Sequence, residues 1–496
     1  LGCFCFTKVG DFTSTFFLFT FALFFNSPVK FSNMHVMKFG GTSVEDAVAM
    51  QNVIGVVRTQ LEQARRQNHP APMVVVSACA GITNKLIKLA ELAVGSKRDE
   101  ALTLLSEISA HHLNVATTLL KNRAKAVQFI EKLTQDLQML INAADVFGEL
   151  SPRVIDAFAS HGELFSSFIL AEAMNEQGIK TAWKDARTLL ITNENFGKAE
   201  PLWSISEKKL KEEVAPLLNE GKVVLSQGYI GATQSGKTTT LGRGGSDYSA
   251  AIFGAMLDAT AIQIWTDVDG VLTADPRLVP DARRLKVMTF NEAAELAYSG
   301  AKVLHPSTIR PAVAKNIPVY VLNSKRPDCE GTLITNTVDS FEGMVKSIAH
   351  KKGQTIINLT TTQMLGTYGF LRKVAEVFEK YETAIDMIST SEVSVSLTIG
   401  DKTNLTKIVE ELERIAEVEI EKNIATISVV GDSIRRSPGI AARVFQAISD
   451  INVKMISQGA SEINIGFAVD ESDMERAVRL LHEAFFAEVK EGAIFA

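Results

Sequence analysis

The feature that most constrains the fold is a repeated local grammar of strand, glycine turn and helix. Met34-His35-Val36-Met37-Lys38-Phe39 reads as a short buried strand, and Gly40-Gly41-Thr42-Ser43 as the turn after it. Residues 42–66 then carry Val44, Ala47, Val48, Val53, Ile54 and Val57 at helical spacing, until Pro70 and Pro72 break the pattern. Met73-Val74-Val75-Val76 is a second strand, Ser77–Asn84 a small polar turn, and residues 85–150 are mostly helical. Further strands are expected at Lys180–Trp183, Lys222–Ser226, Ile262–Asp267 and Val319–Leu322, the last being the final strand of its domain, with a helix at 203–218. Continuous apolar strands separated by helices predict an α/β fold: an open, mostly parallel sheet with helices on both faces. Ligands of such sheets gather at the carboxyl ends of the strands. Lys38, Ser77 and Thr83 fall there.

Two stretches compete as the phosphate site. In the first turn, Gly40 and Gly41 let backbone approach a ligand, the helix start offers amides, and Lys38 adds positive charge. Gly231–Thr238 matches the P-loop spacing G-x-x-x-x-G-K-T. A P-loop needs a helix opening at its Gly-Lys, yet Thr238, Thr239 and Thr240 are poor helix formers and Gly242, Gly244 and Gly245 follow. A hairpin is the better reading. Next, Gly242-Arg243-Gly244-Gly245-Ser246-Asp247 enters a helix. Ser246 or Asp247 is a fitting N-cap, or the turn is a second anion-and-metal site. Glu163, opening an apolar helix, is either a dipole partner or a ligand group. Asp267, Asp269 and Asp275 suit turn chemistry or a ligand, but lack the spacing of an EF-hand. Lys302 closes a helix near the same region. His111 and His112 have no cysteine or histidine partner at ligand spacing, so they read as solvated or core residues.

Beyond a polar stretch the grammar changes. Strands at Thr355–Leu359, Ile385–Ile388 and Val393–Ile399 surround a helix at Phe370–Glu382, and the pattern returns at Ala425–Val430, Ile440–Ser449, Val453–Ile456 and Ile463–Val469, with a helix at 471–486. Gly369-Phe370 corresponds to Gly439-Ile440, and Ser391-Glu392 to Ser461-Glu462, a period of about 70 residues. Two ferredoxin-like α+β units fit. The expected organisation is therefore a catalytic domain at 34–335, a linker at 336–350, and repeat units at 351–423 and 424–496.

A net charge of −6 with no basic block argues against nucleic-acid binding. Four cysteines in 496 residues are too few for a disulfide scaffold, so reduced thiols in a cytoplasmic protein are expected. Phe12–Phe25 is an apolar run too short for an ordinary membrane span. With no cleavage signal after it, residues 1–33 are expected to be a leader or mis-called extension before a start at Met34.

Together, Lys38–Ser43, Ser77 through Thr83, Ser160-His161-Gly162-Glu163, Thr239–Asp247 and Thr266-Asp267-Val268 resemble the aspartate kinases, which join an amino-acid-kinase fold to two ACT domains. The resemblance covers about residues 34–490. It implies ATP-dependent phosphorylation of the side-chain carboxylate of L-aspartate, the entry to lysine, threonine and methionine, with Mg²⁺ carried by ATP and no resident metal. It implies that Lys38 and Asp247 are catalytic, and that Ser77, Thr83, Glu163, Arg243 and Ser246 hold aspartate. Lys38, Gly40, Gly41, Ser43, Thr266, Asp267, Arg277 and Lys302 would hold ATP. Leu272 stands where relatives often have a tyrosine, which weakens any stacking on adenine there. Met364, Thr367, Gly369, Phe370, Leu371 and Asp386 are similar to the effector motif of lysine-inhibited members, so lysine is the expected effector, threonine or none the alternatives. A homo-oligomer is also expected, a dimer or dimer of dimers joined through the ACT sheet edges. Other kinases of the fold, such as glutamate 5-kinase, and a non-catalytic amino-acid sensor are the competing classes.

Overall fold

The computed structural model describes residues 33–496 apart from 96, 302–305, 339–342, 365–367 and 490–491. Of the expected leader, only Asn33 falls within them. The chain begins β1 (His35–Phe39), α1 (Ala47–Arg66), β2 (Met73–Val76) and four long helices, α2 (Ile82–Val94), α3 (Arg98–Leu119), α4 (Ala124–Phe147) and, after the short α5 (Pro152–Ala159), α6 (His161–Glu176). It continues through β3 (Thr181–Lys184), α7 (Ala186–Leu189), β4 (Ile191–Thr192), α8 (Trp203–Glu213), α9 (Ala215–Asn219), β5 (Val223–Gln227), β6 (Ile230–Thr233), β7 (Thr238–Thr240) and α10 (Gly245–Met256). Then come β8 (Ala261–Thr266), β9 (Val287–Thr289), α11 (Phe290–Tyr298), α12 (Arg310–Ala314), β10 (Val319–Asn323) and β11 (Thr332–Thr335).

Eight strands form the main sheet in the order β3-β5-β2-β1-β8-β10-β11-β9. Pairing is parallel from β3 to β10. β11 then runs antiparallel to β10, with β9 parallel to β11. Val319–Leu322 is therefore not the last strand of the sheet. Both faces are apolar because successive side chains point opposite ways. On β2, Met73 and Val75 enter one core while Val74 and Val76 enter the other, which α1 to α6 cover. The apolar stretch Pro152–Glu176 is mostly buried inside this second layer, as α5 and α6.

The P-loop look-alike is a hairpin. β6 and β7 pair antiparallel, Gly236 turns between them at a φ of 79°, and Lys237 pairs with Glu194 at 3.0 Å. No helix opens at Gly236-Lys237. The expected N-cap of α10 is shifted: Gly244, at a φ of 72°, caps it without a side chain. Ser246 and Asp247 thus lie inside the first turn.

The remaining elements are β12 (Val345–Thr360), α13 (Phe370–Lys380), β13 (Met387–Thr390), β14 (Ser394–Ile399), α14 (Leu405–Leu412), β15 (Glu417–Gly431), α15 (Ile440–Ala447), β16 (Val453–Gln458), β17 (Asn464–Asp470) and α16 (Met474–Phe486). They build one antiparallel sheet, β13-β14-β12-β15-β17-β16. Two long strands serve both units. The second half of β12 (354–360) pairs with 417–424 in the first unit, whereas its first half pairs Val345 with Gly431 and Lys351 with Thr426 in the second. Residues 345–350, expected as linker, are thus an integral strand of the second unit, which is discontinuous in sequence. Lys346 and Ser347 disguised this strand as polar. Lys346 is buried because Glu292 on α11 meets its ammonium at 2.7 Å.

The two units relate differently to the kinase half. The second shares a continuous core with the main sheet, from Ile262 and Val319 through Val345 and Ile348 to Ile427 and Phe467. The first has a separate core of Ile357, Leu359, Val374, Phe378 and Leu397, with neighbours. After α16 the chain returns to the kinase half, where the Lys286 amide donates to the Ile494 carbonyl at 2.7 Å and the Ala496 amide to that of Arg284.

Candidate active site

The carboxyl ends of β1, β2 and β5 and the amino ends of α6 and α10 enclose a cavity of about 690 Å³. Lys38, Gly41, Ser77, Thr83, Glu163, Arg243, Ser246 and Asp247 all line it. All but Arg243, which lies in the turn between β7 and α10, reach it from a strand end or a turn at a helix start, the places where a parallel sheet exposes functional groups.

On one wall, Lys38 is largely buried and its Nζ lies 2.6 Å from Asp247 Oδ1. The turn after β1 lies tight on the loop after β2: a Cβ on Gly41 would come within 2.9 Å of the Ala78 carbonyl. Glycine is required there by this approach. Ser166 Oγ donates to the Ser77 carbonyl at 2.7 Å and so pins that loop to α6.

On the other wall is Glu163, buried at 3% exposure in the first turn of α6. Burial pushes its carboxyl up to about 8, against a smaller opposing effect of the Ala78 amide that donates to it. Its Oε2 has no partner among the described residues. A buried carboxylate oxygen without a donor, on a residue that lines a cavity, suits an ammonium group. Arg243 stands at the rim, exposed, and no described side chain holds its guanidinium. It is free to grip a carboxylate by a two-pronged bond.

Two further cavity residues were not legible in the sequence. Asp156 on α5 accepts the amides of Gly197 and Thr240, both at 2.9 Å, and the Thr240 hydroxyl at 2.7 Å. It fixes β7 and the turn before Arg243. Tyr229 holds a positive φ of 68°, and burial pushes its phenol up to about 12, so the hydroxyl is neutral. An acid on a short amphipathic helix and a tyrosine after a strand carry no spacing signal.

Other expected ATP residues are not in this cavity. The Gly40 amide donates to the Trp265 carbonyl at 3.0 Å. The Ser43 hydroxyl is buried, 2.8 Å from Ser324 Oγ. Thr266 and Asp267 lie at the end of β8, beside β1, where the Thr266 hydroxyl donates to Asp267 Oδ1 at 3.2 Å. Arg277 points outward and pairs with Asp275 at 2.6 Å. Leu272 joins an isolated bridge to Arg284. Lys302 lies outside the described residues.

The expected effector residues are divided. Asp386 lines a hollow between α11 and the antiparallel sheet, with Tyr298 and Lys351. Its Oδ2 meets Lys351 Nζ at 2.6 Å, and the Tyr298 hydroxyl donates to Oδ1 at 3.1 Å. Gly369 caps α13 at a φ of 84°, Phe370 and Met364 pack on the core of the first unit, and Leu371 is 47% exposed. None of these four lines the Asp386 hollow. Thr367 lies outside the described residues.

Residues 33–323 match the amino acid kinase family model, and residues 427–485 match an ACT domain model. Lysine-sensitive aspartokinase 3 of Escherichia coli is 37% identical over 92% of this chain and 100% of its own length. The crystal structure of E. coli aspartokinase III with aspartate and ADP, an R-state, superposes with a TM-score of 0.79 at 37% identity, covering 92% of this chain and 100% of that one. The same enzyme with lysine and aspartate, a T-state, gives 0.77 at 37% identity over 91% and 99%. With a kinase sheet, a cavity built from the ends of its strands and a paired ACT region all in place, the chain belongs to the aspartokinase family.

Proposed function

We propose that the cavity binds L-aspartate and that the chain transfers the γ-phosphoryl group of ATP to its side-chain carboxylate, giving 4-phospho-L-aspartate and ADP. The observation that carries this reading is that Glu163, whose Oε2 has no partner among the described residues, lines one cavity with Arg243, Lys38 and Asp247. Glu163 takes the α-ammonium and Arg243 the α-carboxylate, while Ser77, Thr83 and Ser246 orient the chain between them. The reacting carboxylate then faces Lys38.

No general base is needed, because an aspartate side chain with a pKa of about 3.9 is already ionised at neutral pH. The barrier is the approach of one anion to another. A carboxylate oxygen bonds to the γ-phosphorus as the bond to the ADP oxygen breaks, and charge on the transferring group is met by Lys38 and the amides near Gly40 and Gly41. Mg²⁺ on the ATP phosphates supplies further neutralisation when bound. Asp247 fits such an ion, since no described side chain bonds its Oδ2. Asp247 holds Lys38 in position and takes no proton. Thr266 and Asp267, on the neighbouring strand end, and Arg277, in the turn beyond it, are assigned to the nucleotide.

ADP release measured with aspartate and with glutamate tests this. Turnover with aspartate and little with glutamate is expected. The reverse preference would assign the chain to a different carboxylate kinase, and no ADP from either would leave a sensor.

Lysine is proposed as effector, with Asp386 receiving its ammonium in place of Lys351. Titration with lysine and threonine is expected to give inhibition by lysine, and Asp386→Asn to relieve it. A homodimer through the ACT region is supported by Ile388 and Ile456, 45% and 46% exposed on the two outer strands. Those strands approach each other through Met387 and Met455, so the contact proposed is their outer face rather than a free edge. Sedimentation of the full chain checks it. A cytoplasmic location rests on Cys79 and Cys329 being free thiols, and cell fractionation checks it.

A further inference from the structure

Behind the cavity, three side chains with metal-binding atoms converge that no sequence spacing joins. Cys79 lies on the loop after β2, and His111 and His112 are adjacent on α3. One ligand atom of each falls within 4.8 Å of the others. Cys79 and His112 are buried and His111 is half-buried. The Nε2 atoms of both histidines are buried without a partner among the described residues. His112 Nδ1 lies 2.7 Å from the Ile108 carbonyl, which can only accept. The ring proton therefore sits on Nδ1 and Nε2 presents a lone pair. The His112 ring also stacks on Phe165 at 4.4 Å. A phenylalanine would serve that packing equally well and leave no orphan nitrogen.

We propose that Cys79, His111 and His112 form a binding site for a thiophilic d¹⁰ cation of the zinc class, and that its occupancy restrains the Ser77–Thr83 loop. A thiolate with two neutral imidazoles is a normal zinc donor set, and a backbone carbonyl on the other ring nitrogen is the usual orienting partner. On ligation the Cys79 thiol gives its proton to solvent, exchanging its present bond to the Val44 carbonyl for the metal. Cys79 also lines the substrate cavity, which provides the entry path and room for a water as fourth ligand.

Tetrahedral zinc with bonds of about 2.0–2.3 Å sets its ligand atoms about 3.5 Å apart, so the trio closes slightly around the ion. The loop that moves carries the Ala78 amide bonded to Glu163 and the carbonyl against Gly41. A filled site therefore strains both the aspartate and the ATP sides of the cavity and slows turnover. That consequence rests on the proposed function. Metal binding does not.

The test uses the full chain stripped with a chelator. Zn²⁺ is titrated against a chromogenic chelator, and Co²⁺ serves as the spectroscopic probe. One zinc per chain is expected in the micromolar range or tighter, with a thiolate-to-cobalt charge-transfer band that Cys79→Ser removes. His111→Gln, outside the cavity lining, is expected to weaken zinc binding about tenfold or more. It should keep metal-free kinase activity and lose most of the zinc inhibition, which separates this site from zinc bound to ATP. Absence of saturable binding, or binding and absorption untouched by both substitutions, would overturn the site. Stoichiometric binding with undiminished turnover would overturn the loop restraint.

Discussion

Lys38 Nζ sits 2.6 Å from Asp247 Oδ1, tying the end of the central strand β1 to the first turn of α10. Neither residue can leave its place without freeing the other. In Asp247→Ala the lysine loses its anchor, and kcat is expected to fall by on the order of 10²–10³. Aspartate binding, which relies on Glu163 and Arg243, should remain nearly intact by calorimetry. Normal turnover in this variant would remove Asp247 from the reaction.

Glu163 makes the site pH-dependent in a particular direction. Its carboxyl moves from 4.5 in the unfolded chain to about 8 in the folded one because it is buried. Between those values the folded protein holds one more proton than the unfolded protein, so ligand-free stability falls as pH rises through this window and levels off above it. Aspartate needs the ionised form for its ammonium. Its KM is therefore expected to drop as pH approaches about 8, by at most about tenfold per unit. Glu163→Gln should abolish both slopes and raise KM. Melting curves and initial rates across pH read the two effects separately, and unchanged slopes in the variant would assign them to another group.

Lys237 supplies a contrast. It completes the P-loop pattern, yet it pairs with Glu194 beside a hairpin turn. Exposed pairs of this kind contribute about 0–1 kcal/mol. Lys237→Ala is expected to leave kcat and the KM for ATP within about twofold of normal. A large rise in the KM for ATP would restore the motif.

The pair Lys346–Glu292 fastens β12 to α11, both side chains being 2% exposed. Lys346→Met leaves a buried carboxylate with no counter-charge, held among the described residues only by the Thr289 amide at 2.8 Å, and should cost about 3–5 kcal/mol. The double variant with Glu292→Gln should regain part of that loss, since no charge is then stranded. Denaturant unfolding of the singles and the double measures it, and additive losses would refute the coupling.

The parts of this protein that could be read from the sequence are those written in contiguous residues. The glycine turns at Gly40-Gly41 and Gly244-Gly245 carry their own geometry, and the apolar strands before them place Lys38 and Ser77 at the ends of a parallel sheet. What escaped reading depends on packing across long separations. Asp156 acts through Gly197 and Thr240, on other elements. Cys79 meets His111 and His112 only after α3 has packed. The N-cap of α10 moved because a positive φ at Gly244 turns the chain before a side-chain cap is required. The linker expectation failed at residues 345–350 because a lysine there is neutralised by a glutamate far away in sequence.

The sharing of β12 between two units has a consequence for synthesis. As the chain leaves the ribosome, Val345–Lys351 is made long before Thr426–Gly431, the residues it pairs with. At about 5–20 residues per second the wait is on the order of ten seconds. During it the first unit can close around the other half of the same strand, leaving the earlier half as an exposed ribbon attached to a finished kinase sheet. The nascent protein is thus a kinase sheet with a gap in its side, and Thr426–Gly431 fill it once they emerge.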